Sequence, residues 1–134
     1  MRLSLSAMLA LALAAAFPAH AEDIASAGDP ARGAAIYERC GGCHSLERDR
    51  TGPRHCGLIG RKAGSVPGFG YSRAMKKSGI VWTPEALDKF LANPRKAVPG
   101  TIMTYAGVKD ARERADLIAY LAKADADPAL CPRD

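Results

Sequence analysis

The sequence predicts an all-α domain, with three main helices and long loops wrapped around one bound prosthetic group. Three observations predict it. Three segments carry helix-start residues followed by apolar positions at helical spacing, and no convincing strand-like alternation appears. Long Gly- and Pro-rich stretches, 51–70 and 94–107, separate the helices. Loops that long are uncommon in a compact domain unless they have a flat apolar object to wrap. That object is suggested by Cys40-Gly41-Gly42-Cys43-His44, the C-x-x-C-H pattern of covalent haem attachment.

The elements follow in chain order. Arg2, the apolar run 3–17 and the A-x-A site Ala19-His20-Ala21 read as a cleaved signal peptide over residues 1–21. The apolar run falls short of the ~20 residues that span a bilayer. Residues 22–134 then form one small domain. The first helix takes Asp29 as N-cap and Pro30 as its first residue, and runs toward Cys40 with Ile36 and Tyr37 on its apolar side. A short helical turn is expected from Ser72 to Lys77, closed by Gly79. The second helix begins at Thr83-Pro84-Glu85, presents Leu87, Phe90 and Leu91, and stops before Pro94. The third pairs Asp110 with Glu113 in a capping-box-like start and presents Leu117, Ile118, Tyr120 and Leu121.

The spacing of the Cys40–His44 motif suits its chemistry. Each thiol adds across one porphyrin vinyl group, and the adjacent imidazole lies under the ring and gives a nitrogen to iron. Its other nitrogen needs an acceptor to fix the tautomer. Zinc or a thioredoxin-like pair could use the same residues. Zinc would need a second ligand pair, which adjacent His55 and Cys56 supply poorly. The redox pair would need a βαβ pattern, which is absent. Cys56 and Cys131 are left over. Export permits a disulfide between them, the alternative being two free buried thiols. The net charge of +5 falls by one with Arg2, and by about two more with the haem propionates. That modest excess suits an acidic partner surface better than nucleic acid.

From Gly33 to Lys123 the chain resembles class I cytochrome c, of the mitochondrial and proteobacterial electron-carrier type. The motifs that carry the resemblance are Cys40–His44, Thr51-Gly52-Pro53, Gly60-Arg61-Lys62-Ala63-Gly64 and Pro67-Gly68-Phe69-Gly70-Tyr71-Ser72. Gly79-Ile80-Val81-Trp82-Thr83, Asn93-Pro94, Pro99-Gly100-Thr101-Ile102-Met103 and the stretch 113–121 complete them. The resemblance implies His44 as proximal and Met103 as distal iron ligand, with the Pro53 carbonyl accepting from His44. Arg61, Tyr71 and Trp82 would serve the buried propionate region, and Thr101 the methionine loop. Gly33 and Tyr37 would pack against Leu117 and Tyr120 where the first and last helices cross. Met75, on a short helix beside Lys76 and Lys77, is a poor place for a buried ligand.

Arg39, Arg50, Arg95, Lys96 and Lys109 match positions that ring the exposed haem edge in the family, and would dock an acidic partner. Several positions depart from the family pattern. The loop after His44 is about three residues shorter than in the mitochondrial type. His55 stands where leucine is usual, and is expected to be a histidine hydrogen-bonded nearby rather than a ligand. Phe90 replaces a tyrosine, Met75 an asparagine and Ile102 a lysine, so the distal pocket should be drier and poorer in donors. The resemblance therefore implies a monomeric periplasmic carrier of single electrons, with one haem c and its iron and no substrate turnover. Its partners would be respiratory or photosynthetic complexes or periplasmic dehydrogenases. An open distal site would instead imply a peroxidase-like enzyme or a gas sensor, and a third reading is the dedicated acceptor of one dehydrogenase.

Overall fold

In the computed structural model, which describes residues 27–133, helix α1 spans Pro30–Tyr37. The Asp29 carboxylate accepts from the Ala31 and Arg32 amides, and Pro30 occupies the first turn, where its missing N–H costs nothing. The helix tightens into a 3₁₀ turn, Glu38–Cys40, which delivers the first thiol of the motif. The expected signal peptide lies outside the described residues.

Helix α2 is Arg73–Lys77, with Ser72 Oγ accepting from the Met75 amide at 3.1 Å. Gly79 follows with φ +70°, the left-handed conformation that closes this turn. Helix α3 spans Pro84–Ala92, capped by Thr83. The stop before Pro94 occurs, but the stretch 94–107 is not all loop. Asn93 Oδ1 accepts from the Lys96 amide at 3.1 Å and starts a short helix α4, Pro94–Ala97. Helix α5, Ala111–Ala126, has Asp110 accepting from the Glu113 amide at 2.8 Å. The described residues contain no strand, only an isolated antiparallel bridge between Lys62 and Val81.

The dominant helix contact is α1 on α5. Gly33 makes it close: a Cβ there would overlap the Asp116 carbonyl oxygen and lie 2.7 Å from Tyr120 Cβ. The buried Asp116 carboxylate ties the two ends together. It accepts from the Asp29 amide at 2.7 Å and from Arg32 Nε at 2.8 Å. Helix α3 also packs on α5, joined by Arg114 Nε to Asp88 at 2.6 Å. Ile36, Leu87, Phe90, Leu117, Ile118 and Leu121 are buried between these three helices and the loops. Each such Leu, Ile or Phe contributes about 1.5–3 kcal/mol from burial. The sulfurs of Cys56 and Cys131 lie at bonding distance, with Cα atoms 5.4 Å apart, and so join the loop after the motif to the C-terminal tail. No helix of the described residues is long and apolar enough to cross a membrane.

Candidate haem-binding site

The helices and loops enclose one largely apolar cavity of about 300 Å³. Cys40, Cys43, His44, Pro53, Arg61, Tyr71, Trp82, Thr101 and Met103 all line it, although they come from four separate stretches of chain. Local geometry explains how His44 arrives there. The His44 amide donates to the Cys40 carbonyl at 2.9 Å, continuing the turn after α1, and the Gly52 amide donates to the Cys43 carbonyl at 2.7 Å. This folds Thr51-Gly52-Pro53 back over the imidazole. Gly52 is required here, because a Cβ would overlap the His44 ring.

His44 Nδ1 and the Pro53 carbonyl oxygen are 2.8 Å apart. A carbonyl can only accept, so Nδ1 carries the proton and Nε2 keeps its lone pair. Burial pushes the His44 pKa down, and the Pro53 bond only partly offsets this. The ring is therefore neutral, in the tautomer an iron ligand needs. His55 packs on it, with ring centroids 4.3 Å apart and planes 22° apart. Its Nδ1 is hydrogen-bonded to the Tyr37 hydroxyl at 2.9 Å. Burial pushes His55 down to about 3, aided by His44 and Arg61. The structure thus has His55 bonded nearby, as expected, and adds a stacking contact the sequence does not reveal.

On the far side of the loop, Arg61 is half-buried. Its Nη1 donates to the Cys56 carbonyl and its Nη2 to the Arg54 carbonyl. The Trp82 amide donates to the Arg61 carbonyl at 2.9 Å, so these two wall residues are clipped together through the backbone. Tyr71 turns its hydroxyl to the Val66 amide. Thr101 Oγ1 accepts from the Met103 amide at 3.3 Å, an intraloop bond that holds the second thioether against the cavity. Phe90 packs edge-on against Trp82 and adds no donor.

Met75 corrects the expectation from sequence. Lys76 and Lys77 are exposed, but Met75 is buried and lines the same cavity as Met103. Successive side chains on a helix point about 100° apart, so the charged neighbours say nothing about the third side chain. Gly52 and Leu87 also line the cavity, as do Leu58 and Tyr105, which no sequence signal marks. The apolar face of the second helix was the available signal for Leu87.

The basic residues differ from one another. Arg39 forms a two-pronged ion pair with Glu113, both bonds 2.8 Å. Lys109 Nζ donates to the Ala92 and Ala106 carbonyls, and Arg50 Nη1 to the Gly41 carbonyl. Arg95 and Lys96 are exposed on α4 and form no ion pair among the described residues. Ile102, beside Met103, is 62% exposed.

The donor set fits a haem. Two thiols and a neutral imidazole stand at the edge of an apolar cavity, and a thioether lines its wall. Among the described residues no group of three or more His, Cys, Asp and Glu could hold a bare metal ion.

A family model described as cytochrome c matches residues 30–125. The chain is 46% identical over 100 residues to a cytochrome c2 of Rhodomicrobium vannielii, covering 72% of this chain and 80% of that one. It is 50% identical over 97 residues to a cytochrome c of Euglena viridis, covering 70% and 95%. Among solved structures, cytochrome cH from Methylobacterium extorquens superposes with a TM-score of 0.70 at 41% identity. That match covers 72% of this chain and 99% of the other.

Proposed function

The chain belongs to the cytochrome c family of electron carriers, whose members bind one covalently attached haem c with its iron. On that premise we propose that it is a periplasmic carrier of single electrons in which His44 and Met103 ligate the iron. The observation that carries this reading is the fixed tautomer of His44, whose Nδ1–H is bound to Pro53 while Nε2 keeps a lone pair. When bound, the haem supplies a ferrous/ferric couple. The chain's own residues do the rest. The Cys40 and Cys43 sulfurs hold the group as thioethers. Met103, tied by Thr101, presents a soft sulfur that favours reduced iron. Leu87, Phe90 and Leu121 exclude water from the site. Arg61, Tyr71 and Trp82, which line the cavity wall, would hold the haem's propionate region.

Filled axial positions leave no open site for substrate, so the reading is a carrier and not an enzyme. Periplasmic location is supported by the leader pattern and by the Cys56–Cys131 bridge, which an oxidising compartment permits. Partners are redox proteins with acidic surfaces, met chiefly through Arg95, Lys96 and Arg50.

Carbon monoxide binding to the ferrous protein tests the ligand set. Wild type and Met75→Leu should exclude it, and Met103→Ala should bind it at once. The weak far-red absorption band expected of methionine sulfur on ferric iron, the thioether band, should vanish only in Met103→Ala. Rapid binding by wild type, or loss of the band in Met75→Leu alone, would overturn the assignment.

A further inference from the structure

We propose that His55 is a positioning residue for the axial imidazole, holding the plane of the His44 ring by stacking on it from a tethered position. This rests on the reading of His44 as iron ligand. The hydrogen bond from His44 Nδ1 to Pro53 fixes one edge of the ring, but a ring held at one edge can still tilt. His55 limits that freedom through a nearly parallel contact at 4.3 Å. A branched aliphatic side chain at this position would offer no flat surface.

His55 is itself held at several points. Its amide donates to the Ser45 and Leu46 carbonyls, and its carbonyl accepts from the Leu58 amide. Its Nδ1 is bonded to the Tyr37 hydroxyl. Tyr37 sits at the end of α1, one 3₁₀ turn before Cys40, and packs on Tyr120 of α5 at 5.2 Å between ring centroids. A continuous line of rings therefore runs from the α1–α5 crossing, through Tyr37 and His55, to His44. The orientation of the ring is thereby tied to the most extensive helix contact in the fold as well as to the loop that carries it.

The plane of an axial imidazole sets how its π electrons mix with the iron d orbitals, so its rotation can be read without measuring electron transfer. The test is the ferric EPR spectrum and the hyperfine-shifted haem-methyl NMR signals of purified holoprotein. The variants are His55→Leu, His55→Phe and Tyr37→Phe. His55→Leu should change the spread of g values and reorder or broaden the methyl shifts, with the thioether band retained. His55→Phe, which restores a flat ring, should return both toward wild type, and Tyr37→Phe should give a smaller change in the direction of His55→Leu. A folded His55→Leu protein with the wild-type EPR and NMR patterns overturns the proposal. If His55→Leu yields no folded holoprotein, wild-type patterns in Tyr37→Phe overturn it. A wild-type pulsed-EPR spectrum without axial imidazole nitrogen would instead remove the ligation reading beneath it.

Discussion

Cutting the Cys56–Cys131 bridge should lower stability by about 3–4 kcal/mol. The two cysteines are 75 residues apart in sequence. Opening a loop of that size returns chain entropy to the unfolded state, about 4.5 kcal/mol in the chain-entropy model. Measured losses usually fall below that model, and the native state here keeps another tie across much the same gap. The Gly57 amide still donates to the Asp125 carboxylate, 68 residues on. The haem thioethers do not shorten this loop, because Cys40 and Cys43 both lie outside it. With a guanidinium slope of about 3 kcal/mol per molar, the unfolding midpoint should fall by about 1 M. The slope should rise slightly, since the uncrosslinked unfolded chain exposes more surface. The assay is guanidinium unfolding of the ferric Cys56→Ala/Cys131→Ala protein against wild type. Trp82, the sole tryptophan, reports release from the haem cavity. An unchanged midpoint would refute the reasoning, as would two titratable thiols in denatured, unreduced wild type.

Gly33→Ala should cost about 3 kcal/mol, because the added methyl meets backbone of α5 rather than a side chain that can move; thermal unfolding of the holoprotein reads this. Asp116 is held below the usual carboxylate range, first by Arg32 and then by the Asp29 amide. Its contribution is therefore complete above the unfolded-state pKa and disappears as pH falls through the lower folded one. Asp116→Asn should cost about 1.5–3 kcal/mol at neutral pH and flatten the acid limb of the stability curve; an acid limb as steep as that of wild type would contradict this. The Arg39–Glu113 pair contributes no net charge to docking. Arg39→Gln with Glu113→Gln should leave the ionic-strength dependence of reduction by ferrocyanide unchanged, whereas Arg95→Gln with Lys96→Gln should flatten it. Equal slopes in the two double variants would sink that distinction.

Much of this site is written in short-range pattern. Cys40 to His44 lie within one turn, and Asp29, Ser72, Thr83 and Asp110 are caps whose partners lie two or three residues on. Spacing alone finds such features. Helix α4 was legible in principle, since Asn93-Pro94 is itself an N-cap and first-turn pair, but the proline also reads as a stop. Other features depend on contacts that no local pattern encodes. Arg39 finds Glu113 across 74 positions, and Lys109 finds a carbonyl 17 residues back. Both look like free cations in the sequence. Met75 and His55 are similar cases: one residue's burial and another's stacking depend on a cavity that exists only when four stretches of chain meet.

That cavity also explains how a chain with so few helix–helix contacts can be held. Helix α2 makes no packing contact with any other helix among the described residues. Its one buried side chain, Met75, faces the cavity wall. Helix α3 points Leu87, Phe90 and Leu91 toward the same space, and α5 points Leu117 and Leu121 there. The apolar faces therefore converge on the prosthetic group rather than on a second layer of secondary structure. The α1–α5 crossing, by contrast, is completed by the chain itself, through Gly33 and Asp116. Cys40, Cys43 and His44, the residues proposed to hold the group, follow directly from the end of α1, and His55 is tied back to that end through Tyr37. The firmest contact in the chain thus sits beside the proximal attachment, while α2 and the methionine loop close around it from the other side. Such an arrangement would suit an iron that must change charge with little movement of its surroundings, because the imidazole proposed to ligate it is braced by protein and the opposite wall is mostly apolar.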